Sequence, residues 1–400
     1  MKALMRTIPL LLAIALAGCG SSKPTPLEGP TVAYLFTAGQ GTNNIFLFRA
    51  VSDGEIQSLS ISFPTNAIPV SMVLHPNKGL VYVANSTSNT VSGFTLNHQT
   101  GVLTPVGTAI SPSSICPAPP CSTATPATSN PISLGIDSTG HFLFVLNQGV
   151  AGAIPAVNAS ISVFSIDTTR GLLTLVPGSP FALSSLSAGK VQSMAVSPIA
   201  PVLYVSNGTD GTIAQFTFDN NGQVTANGTI AASGGINPAN LAGMVIDPKG
   251  QFLYSTDSAN NAILSFSIPS SGALAPVATF ALVQTTKAET TPVALAIDST
   301  GSFLYSANQG SDNATAMKVS SGTLSEISGS PYSTRGTVVS TAALPSVIIV
   351  DATNAVVYVG NQGSRDIMAF TINSSNGTLT TVANAPFSVS IQPFTLLSTR

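Results

Sequence analysis

Tryptophan is absent from this sequence of 400 residues, and charged side chains make up only 7% of it. The lack of tryptophan excludes repeats of the WD type, sialidase Asp boxes and the tryptophan docking motifs of quinoproteins. Because a globular protein averages about 25% charged residues, hydroxyl and amide side chains must supply most of the solvated surface. The net charge of −2 and the lack of a basic stripe argue against nucleic acid as a partner.

Cysteine is scarce, and the first of the three cysteines ends an export signal. Lys2 and Arg6 precede an apolar run over residues 8–18, which is too short to cross a bilayer because a helix needs about 20 apolar residues. The run ends in Leu16-Ala17-Gly18-Cys19, which resembles the lipobox of bacterial lipoproteins. That resemblance implies cleavage before Cys19 and lipidation of its thiol; an ordinary signal peptide with an incidental cysteine is the alternative. We expect a signal peptide over residues 1–19, a flexible tether over 20–31, and a membrane-anchored protein of the cell envelope facing the periplasm or exterior.

The other two cysteines, Cys116 and Cys121, flank a proline-rich stretch. In an exported protein such a pair predicts a small disulfide loop, with two free cysteines as the alternative. Two thiols without nearby histidines make a poor zinc site, so we expect neither a metal nor a cofactor.

One pattern recurs seven times from residue 32 onward. Each copy has a short strand of small residues, an apolar strand centred on Tyr or Phe, a strand that usually carries Phe, and an outer strand after a glycine turn. Four strands at a period of about 50 residues make one blade of a β-propeller. The predicted fold is therefore all-β, a seven-bladed propeller over residues 32–400 with four-stranded antiparallel blades and an insertion at 111–130. The central aromatic residues are Tyr34, Tyr82, Phe144, Tyr204, Tyr254, Tyr305 and Tyr358.

The first copy lacks an innermost strand, and the end of the chain supplies a matching one. Pro393-Phe-Thr-Leu-Leu397 repeats the pattern of Pro292-Val-Ala-Leu-Ala296. We therefore expect the C-terminal strand to complete the first blade, which leaves no open edge at the ring closure.

Three segments carry a resemblance to a known family: Phe-Leu-Tyr-Ser-Ala-Asn at 303–308, Val-Tyr-Val-Ala-Asn at 81–85 and Gly-Ser-Pro-Phe at 178–181. They resemble the propeller lactonase family and the YVTN-repeat surface proteins. The resemblance covers nearly the whole mature chain and implies the same propeller. It also implies an activity, hydrolysis of lactones as by the propeller 6-phosphogluconolactonases, with an acid/base His or Glu and with arginines that hold an acidic substrate.

Blade topology sorts the loops between two faces. Loops after the Tyr strand and loops that join blades open on one face, here called the mouth, where propellers usually bind ligands. The hairpin turns open on the other face, here called the hairpin face. All three histidines, His75, His98 and His141, fall in hairpin turns, so no His-centred acid or base is expected at the mouth.

Few charges remain for a lactonase mechanism. Glu289 on a blade-joining loop is the predicted base, and Arg335 and Arg365 are the predicted ligands for a carboxylate or phosphate. The alternative is that all three are solvated loop charges.

Polar side chains end the Tyr strands in a repeated ring. They predict either a polar mouth that binds a sugar or calcium through oxygens, or side chains that cap the turn leaving each strand. The predicted ligand-binding residues are Asn147, Asn207, Asp257, Asn308 and Asn361.

Two hypotheses of function follow. The first is a lipid-anchored binding or scaffold module, expected to be monomeric, for an unknown small molecule, glycan or protein. The second is a lactone hydrolase of the propeller lactonase type, so the sequence leaves open whether the protein is an enzyme. Fold alone does not decide between them.

Overall fold

The computed structural model describes residues 29–112, 129–149, 158–183, 186, 190–232, 240–281, 289–336 and 342–399. The predicted signal peptide, Cys19, most of the tether, and the Cys116–Cys121 pair lie outside the described residues. Within these ranges no helix has the length and apolarity needed to cross a membrane.

Strands account for nearly all regular structure, and they form seven antiparallel sheets. Blades 1 and 2 contain β1 (Ala33–Gln40), β2 (Asn44–Ala50), β3 (Ile56–Pro64), β4 (Pro69–Leu74), β5 (Leu80–Asn85), β6 (Thr90–Leu96) and β7 (Leu103–Ile110). Blades 3 and 4 contain β8 (Pro131–Ile136), β9 (Phe142–Asn147), β10 (Ser160–Ile166), β11 (Leu173–Leu175), β12 (Phe181–Ala182), β13 (Val191–Val196), β14 (Val202–Asn207), β15 (Thr212–Phe218) and β16 (Val224–Ala231). A 3₁₀ turn, Gly208–Asp210, follows β14.

Blades 5 to 7 complete the ring. They contain β17 (Leu241–Ile246), β18 (Phe252–Asp257), β19 (Ala262–Ser267), β20 (Ala275–Ala281), β21 (Pro292–Ile297), β22 (Phe303–Asn308), β23 (Asn313–Ser320), β24 (Thr323–Glu326), β25 (Tyr332–Ser333), β26 (Pro345–Val350), β27 (Val356–Asn361), β28 (Asp366–Ile372), β29 (Leu379–Thr381), β30 (Phe387–Ser388) and β31 (Gln392–Thr399).

The ring closes as the sequence predicts. Strand β31 pairs antiparallel with β1, with Leu35 opposite Ser398 and Thr37 opposite Leu396, so the first sheet has the order β3-β2-β1-β31. The other six sheets begin with their own innermost strand. The prediction of a seven-bladed propeller closed by the C-terminal strand is therefore confirmed.

The hydrophobic core is divided among the seven seams between neighbouring blades. Each seam has its own cluster; the one between blades 6 and 7, for example, contains Tyr305, Ile348 and Phe370. Large residues of the second and third strands fill these seams because the facing sheets interdigitate there. The aromatic residues picked out by the repeat are the ones that hold blade to blade.

Hydrogen bonds from the repeated tyrosines reinforce the seams. In five blades the Tyr hydroxyl donates to a backbone carbonyl in the outer hairpin of the next blade, as Tyr82 does to the Gly171 oxygen at 3.0 Å. Blade 3 has Phe144 at this position. In blade 5 the buried Tyr254 hydroxyl has no partner within the described residues, and Ser265 donates to the Gly322 carbonyl instead. The other four donors are Tyr34, Tyr204, Tyr305 and Tyr358.

Candidate functional site

The mouth is unevenly charged around the ring. The described parts of the loops that open there in blades 1 to 3, residues 41–43, 65–68, 86–89, 111–112, 129–130, 148–149 and 158–159, contain no charged residue. Among the described residues, the charges of this face lie in the mouth loops of blades 4 to 7. We call these two parts the neutral half and the charged half of the mouth.

The asparagines that end the second strands are buried and bonded. Asn147 is fully buried and donates from Nδ2 to Ser162 Oγ at 2.8 Å and to Ser160 Oγ at 3.1 Å. Asn308 is also fully buried and donates to Thr315 Oγ1 at 2.8 Å. These bonds tie the second strand to the third, which is what the turn-capping interpretation requires. A role in ligand binding stays a prediction for this set.

Three of these amides nevertheless keep one polar atom without a partner. The Oδ1 atoms of Asn147, Asn207 and Asn361 are buried and accept no hydrogen bond within the described residues. A buried acceptor without a donor costs about 1–3 kcal/mol, so each oxygen calls for a donor from water or a ligand. By contrast, Asn85 Oδ1 accepts a bond from the Thr65 hydroxyl at 2.7 Å.

Blade 5 carries a carboxylate in place of the asparagine. Asp257 is 1% exposed, and its Oδ2 accepts a hydrogen bond from Asn260 Nδ2 at 2.7 Å. Its Oδ1 accepts from the backbone N–H of Asn240 at 3.1 Å. The side chain therefore joins the loop before blade 5 to the loop after its second strand.

Glu289 lies on the loop that joins blades 5 and 6, and only 1% of it is exposed. Thr315 donates its hydroxyl proton to Glu289 Oε2 at 2.8 Å. Because Thr315 belongs to β23, the carboxylate sits over the third strand of blade 6 and not over the innermost strand beside the channel. The role of Glu289 as a base stays a prediction, and its burial places the carboxylate away from open solvent.

Other blades fill the same place with neutral groups. In blade 3, Ser162 donates to the carbonyl of Pro112 at 2.6 Å. In blade 2, the Thr65 hydroxyl lies 3.3 Å from Ser92 Oγ. The strand registers make Ser92, Ser162 and Thr315 equivalent. Glu289 thus takes part in a blade-joining contact that recurs around the ring.

Arg335 is held by a buried carboxylate of its own blade. Its Nε donates to Asp312 Oδ2 at 2.8 Å, and Asp312 is 4% exposed. The other oxygen, Asp312 Oδ1, accepts the backbone N–H of Leu344 at 2.7 Å. Arg335 itself is half-exposed, so one side of its guanidinium faces solvent while the other is fixed.

Arg365 and Asp366 lie side by side at the mouth of blade 7. Arg365 is exposed and has a positive φ of 56°. Asp366 is buried, and burial raises the pKa of its carboxyl group despite a hydrogen bond from Asn361 Nδ2 at 2.6 Å. The registers place neutral residues at the equivalent position in the other blades, such as Thr90 and Ser160. This break in the repeat is a sequence signal that singles out Asp366.

Lys190 and Asp210 form a further pair of charges at the mouth. Lys190 forms an ion pair with Asp210 at 2.7 Å on the surface of blade 4. Asp210 Oδ2 also accepts a hydrogen bond from Asn207 Nδ2 at 2.9 Å. Among the residues described, no group of three or more His, Cys, Asp or Glu side chains could hold a metal ion.

The histidines lie on the hairpin face, as the topology predicts. His75 falls between β4 and β5, His98 between β6 and β7, and His141 between β8 and β9. His75 is buried, and burial lowers the pKa of its imidazole. These three are all the histidines of the sequence, so no histidine is placed at the mouth to transfer a proton there.

Fold and mouth together define a seven-bladed propeller with amide side chains at the ends of its second strands. The chain belongs to the lactonase family of seven-bladed β-propellers, whose model matches residues 28–182 and 193–341. No curated protein sequence matches the chain significantly.

Solved structures share the fold at low sequence identity. The periplasmic gluconolactonase PpgL of Pseudomonas aeruginosa is 17% identical with a TM-score of 0.70, covering 92% of this chain and 99% of that one. A proposed 6-phosphogluconolactonase from Bacteroides uniformis is 17% identical, with a TM-score of 0.69 and coverage of 92% and 99%. A second from Bacteroides fragilis is 16% identical, with a TM-score of 0.69 and coverage of 94% and 100%. At this identity the likeness establishes the fold.

Proposed function

We propose that this chain is a binding propeller whose mouth takes a neutral, polyhydroxylated ligand of the sugar or sugar-lactone class. The observation that carries the proposal is the set of buried amide oxygens, Oδ1 of Asn147, Asn207 and Asn361, that accept no hydrogen bond within the described residues. Hydroxyl groups are donors that suit such acceptors. Family membership and the gluconolactonase among the similar structures agree with this ligand class.

The charge distribution supports a neutral ligand over a phosphorylated one. In the charged half, Arg335 is bound by Asp312 and Lys190 by Asp210. A phosphate is held best by arginine or lysine side chains that can donate several bonds to it. Two of the three described mouth cations are engaged by carboxylates, which leaves the exposed Arg365 alone to hold a phosphate, so a neutral ligand fits the described mouth better.

Anchoring at the membrane forms part of the same proposal. Leu16-Ala17-Gly18-Cys19 supports export and lipidation of Cys19, and two or more acyl chains hold a protein to a membrane stably. Cys19→Ser should release the protein into the soluble fraction. Membrane fractions washed with high salt, probed for both forms, would test this; a variant still bound after the wash would contradict anchoring through Cys19.

The ligand proposal is tested on the soluble domain, residues 29–400. We expect D-glucono-1,5-lactone to raise the melting temperature and D-gluconate 6-phosphate to have a smaller effect at equal concentration, because linkage stabilises only the form that binds. A larger shift with the phosphorylated compound, or no shift with either, would contradict a neutral sugar-lactone ligand.

The second candidate is hydrolysis of the lactone, which family membership favours. Asp366 is the described mouth carboxyl whose pKa is raised by burial, and general acids or bases contribute about 10²–10⁴-fold to rate. If a pH-stat records lactone hydrolysis above the buffer rate, Asp366→Asn should reduce it by at least about a hundredfold. Glu289→Gln tests the sequence-based assignment in the same assay. Wild-type protein without turnover would leave binding as the function.

A further inference from the structure

We propose a second ligand site on the hairpin face, in the cleft between blades 3 and 4, that takes an organic cation with an apolar body, such as an arylalkylammonium group. The cleft has a volume of about 550 Å³. It opens on the face opposite the mouth, so it is separate from the site proposed above. Its lining combines aromatic and aliphatic walls with hydrogen-bond acceptors and one exposed carboxylate.

The walls of the cleft are apolar and partly open to solvent. Phe142 and Phe218 line it, and Phe218 packs against Phe144 with ring centroids 4.7 Å apart. Ile199 lies at the cleft with 63% of its surface exposed, the largest exposure among the large hydrophobic residues that the structure describes as exposed. A cation beside an aromatic face is attracted to it even at an exposed site, and burial of the apolar body of the ligand adds to binding.

A chain of hydrogen bonds fixes the chemistry of His141. The Thr139 hydroxyl donates to Asp137 Oδ2, and the oxygen of the same hydroxyl lies 3.0 Å from His141 Nδ1. A hydroxyl has one proton, and Thr139 uses it in the hydrogen bond to Asp137. The Thr139 oxygen therefore accepts the hydrogen bond with His141, so Nδ1 is the protonated nitrogen of the neutral imidazole. Nε2 then carries the lone pair, and exposed His141 presents an acceptor at the cleft.

Asp219 supplies the negative charge. Its carboxylate accepts backbone N–H groups from Gln223 at 2.8 Å and Asn221 at 2.9 Å, and these bonds lower the pKa of the carboxyl group. It is therefore ionised at neutral pH. Among the described residues that line this cleft there is no lysine or arginine. An acceptor, a carboxylate and apolar walls together select a ligand with a positive, hydrogen-bond-donating head.

The equivalent cleft between blades 5 and 6 has a different lining from the cleft between blades 3 and 4. That cleft, of about 500 Å³, is lined by Lys249 and has Val319 where the first has Phe218. The strand registers place Ser320 at the position of Asp219. The same space in the fold thus has a cation and lacks both the exposed carboxylate and the second aromatic ring, so it should not select an organic cation.

The test uses 2-phenylethylammonium as the probe and calorimetric titration at pH 8. We expect binding, with the neutral analogue 2-phenylethanol at least about fivefold weaker, because an ion pair and a charge-assisted hydrogen bond are lost. Asp219→Asn keeps an oxygen to cap the turn and removes the charge, so it should weaken the ammonium probe to the level of the alcohol. Lys249→Ala, in the equivalent cleft, is the matched control and should leave the affinity unchanged.

Three results would overturn the proposal: no binding of the ammonium probe, equal binding of the amine and the alcohol, or an unchanged affinity in Asp219→Asn. Melting curves of both variants establish that they are folded. As a second measurement, the Nε2 nitrogen of His141 should shift in ¹⁵N spectra on adding the probe, and an unchanged signal would contradict the place assigned to it.

Discussion

The neutral and charged halves of the mouth are built from the same repeat, yet they use it differently. In blades 2 and 3 the position over the third strand is filled by the Thr65 hydroxyl and the Pro112 carbonyl. In blade 6 the carboxylate of Glu289 fills it, and in blade 7 Asp366 replaces a neutral residue at the start of the third strand. Both halves keep the path of four antiparallel strands in each blade.

The comparison shows that charged residues at this mouth depart from the repeat. Most of them are bound in contacts between blades. Asp312, for example, binds both Arg335 and the backbone of Leu344. Charged residues that the repeat does not require are the better candidates for acid–base chemistry, whereas the repeated amides first serve the fold and leave only their unpaired oxygens for a ligand. The following predictions test this division.

The largest effect should come from separating the two halves where blade 7 meets blade 1. Deleting residues 392–399 removes β31, exposes strand edges and strips the buried Leu396. Burial of one such side chain contributes roughly 1.5–3 kcal/mol, in a fold whose total stability is about 5–15 kcal/mol. We expect aggregation or a greatly lowered melting temperature. An unchanged melting curve would mean that the ring is closed by other contacts.

The second-largest loss of stability should come from breaking an ion pair in the charged half whose carboxylate is buried. A pair exposed on both sides serves for comparison. Arg335→Ala leaves the buried Asp312 carboxylate with its backbone donor alone. Because Arg335 is half-exposed and solvent screens the pair, we expect a loss of about 1–2 kcal/mol. Lys190→Ala at the exposed Lys190–Asp210 pair is the control and should cost less than about 1 kcal/mol. Equal losses in chemical denaturation would refute the distinction.

Opposite dependences on pH should appear in the two halves of the ring. Burial lowers the pKa of His75, although the hydrogen bond with the Gly140 carbonyl and the charge of Asp137 oppose the shift, while Lys78 and His141 add to it. The unfolded chain then binds the proton more readily, so stability should fall as the pH drops below about 6.5. For Asp366 the raised pKa means that the folded chain binds the proton more readily than the unfolded chain. The stability that protonated Asp366 contributes is therefore lost as the pH rises through the folded pKa.

Melting temperatures recorded across pH would resolve these two contributions. His75→Gln should flatten the acid side of the profile, and Asp366→Asn should raise stability at neutral pH because a buried charge is removed. A steeper acid limb in His75→Gln, or a less stable Asp366→Asn protein at pH 7, would contradict the expected signs.

The smallest effect concerns the tyrosine hydroxyls at the seams. Tyr82→Phe removes a buried bond to the Gly171 carbonyl and should cost about 1 kcal/mol. Tyr254 has the same place in blade 5, but its hydroxyl has no partner within the described residues. Tyr254→Phe should therefore cost nothing or stabilise slightly. A loss in Tyr254→Phe equal to that in Tyr82→Phe would show that both hydroxyls are bonded.

Much of this architecture could be predicted because the same strand pattern occurs seven times in the sequence. The aromatic residue of the second strand, the closing segment around Pro393 and the placement of the histidines all follow from counting strands. Family membership was likewise predictable from strand motifs such as residues 303–308.

The burial and the hydrogen-bond partners of the site residues could not be predicted in the same way. A sequence gives no sign that Glu289 bonds to Thr315, because the two are 26 positions apart and belong to different segments of the fold. The same holds for the pairing of Arg335 with Asp312. Burial and partners of single side chains depend on how joining loops fold back over the blades, and no repeat encodes that.

The central claim is that unpaired amide oxygens at the mouth recognise a neutral sugar lactone. The most direct test is calorimetric titration of D-glucono-1,5-lactone into wild type, Asn147→Ala and Asn85→Ala. Asn147 Oδ1 has no donor within the described residues, whereas Asn85 Oδ1 is already bonded to Thr65. We predict that Asn147→Ala weakens binding at least about tenfold, as expected for a lost buried bond of about 1.4 kcal/mol, and that Asn85→Ala leaves it within about twofold. Equal weakening in the two variants, or no binding to wild type, would contradict the claim.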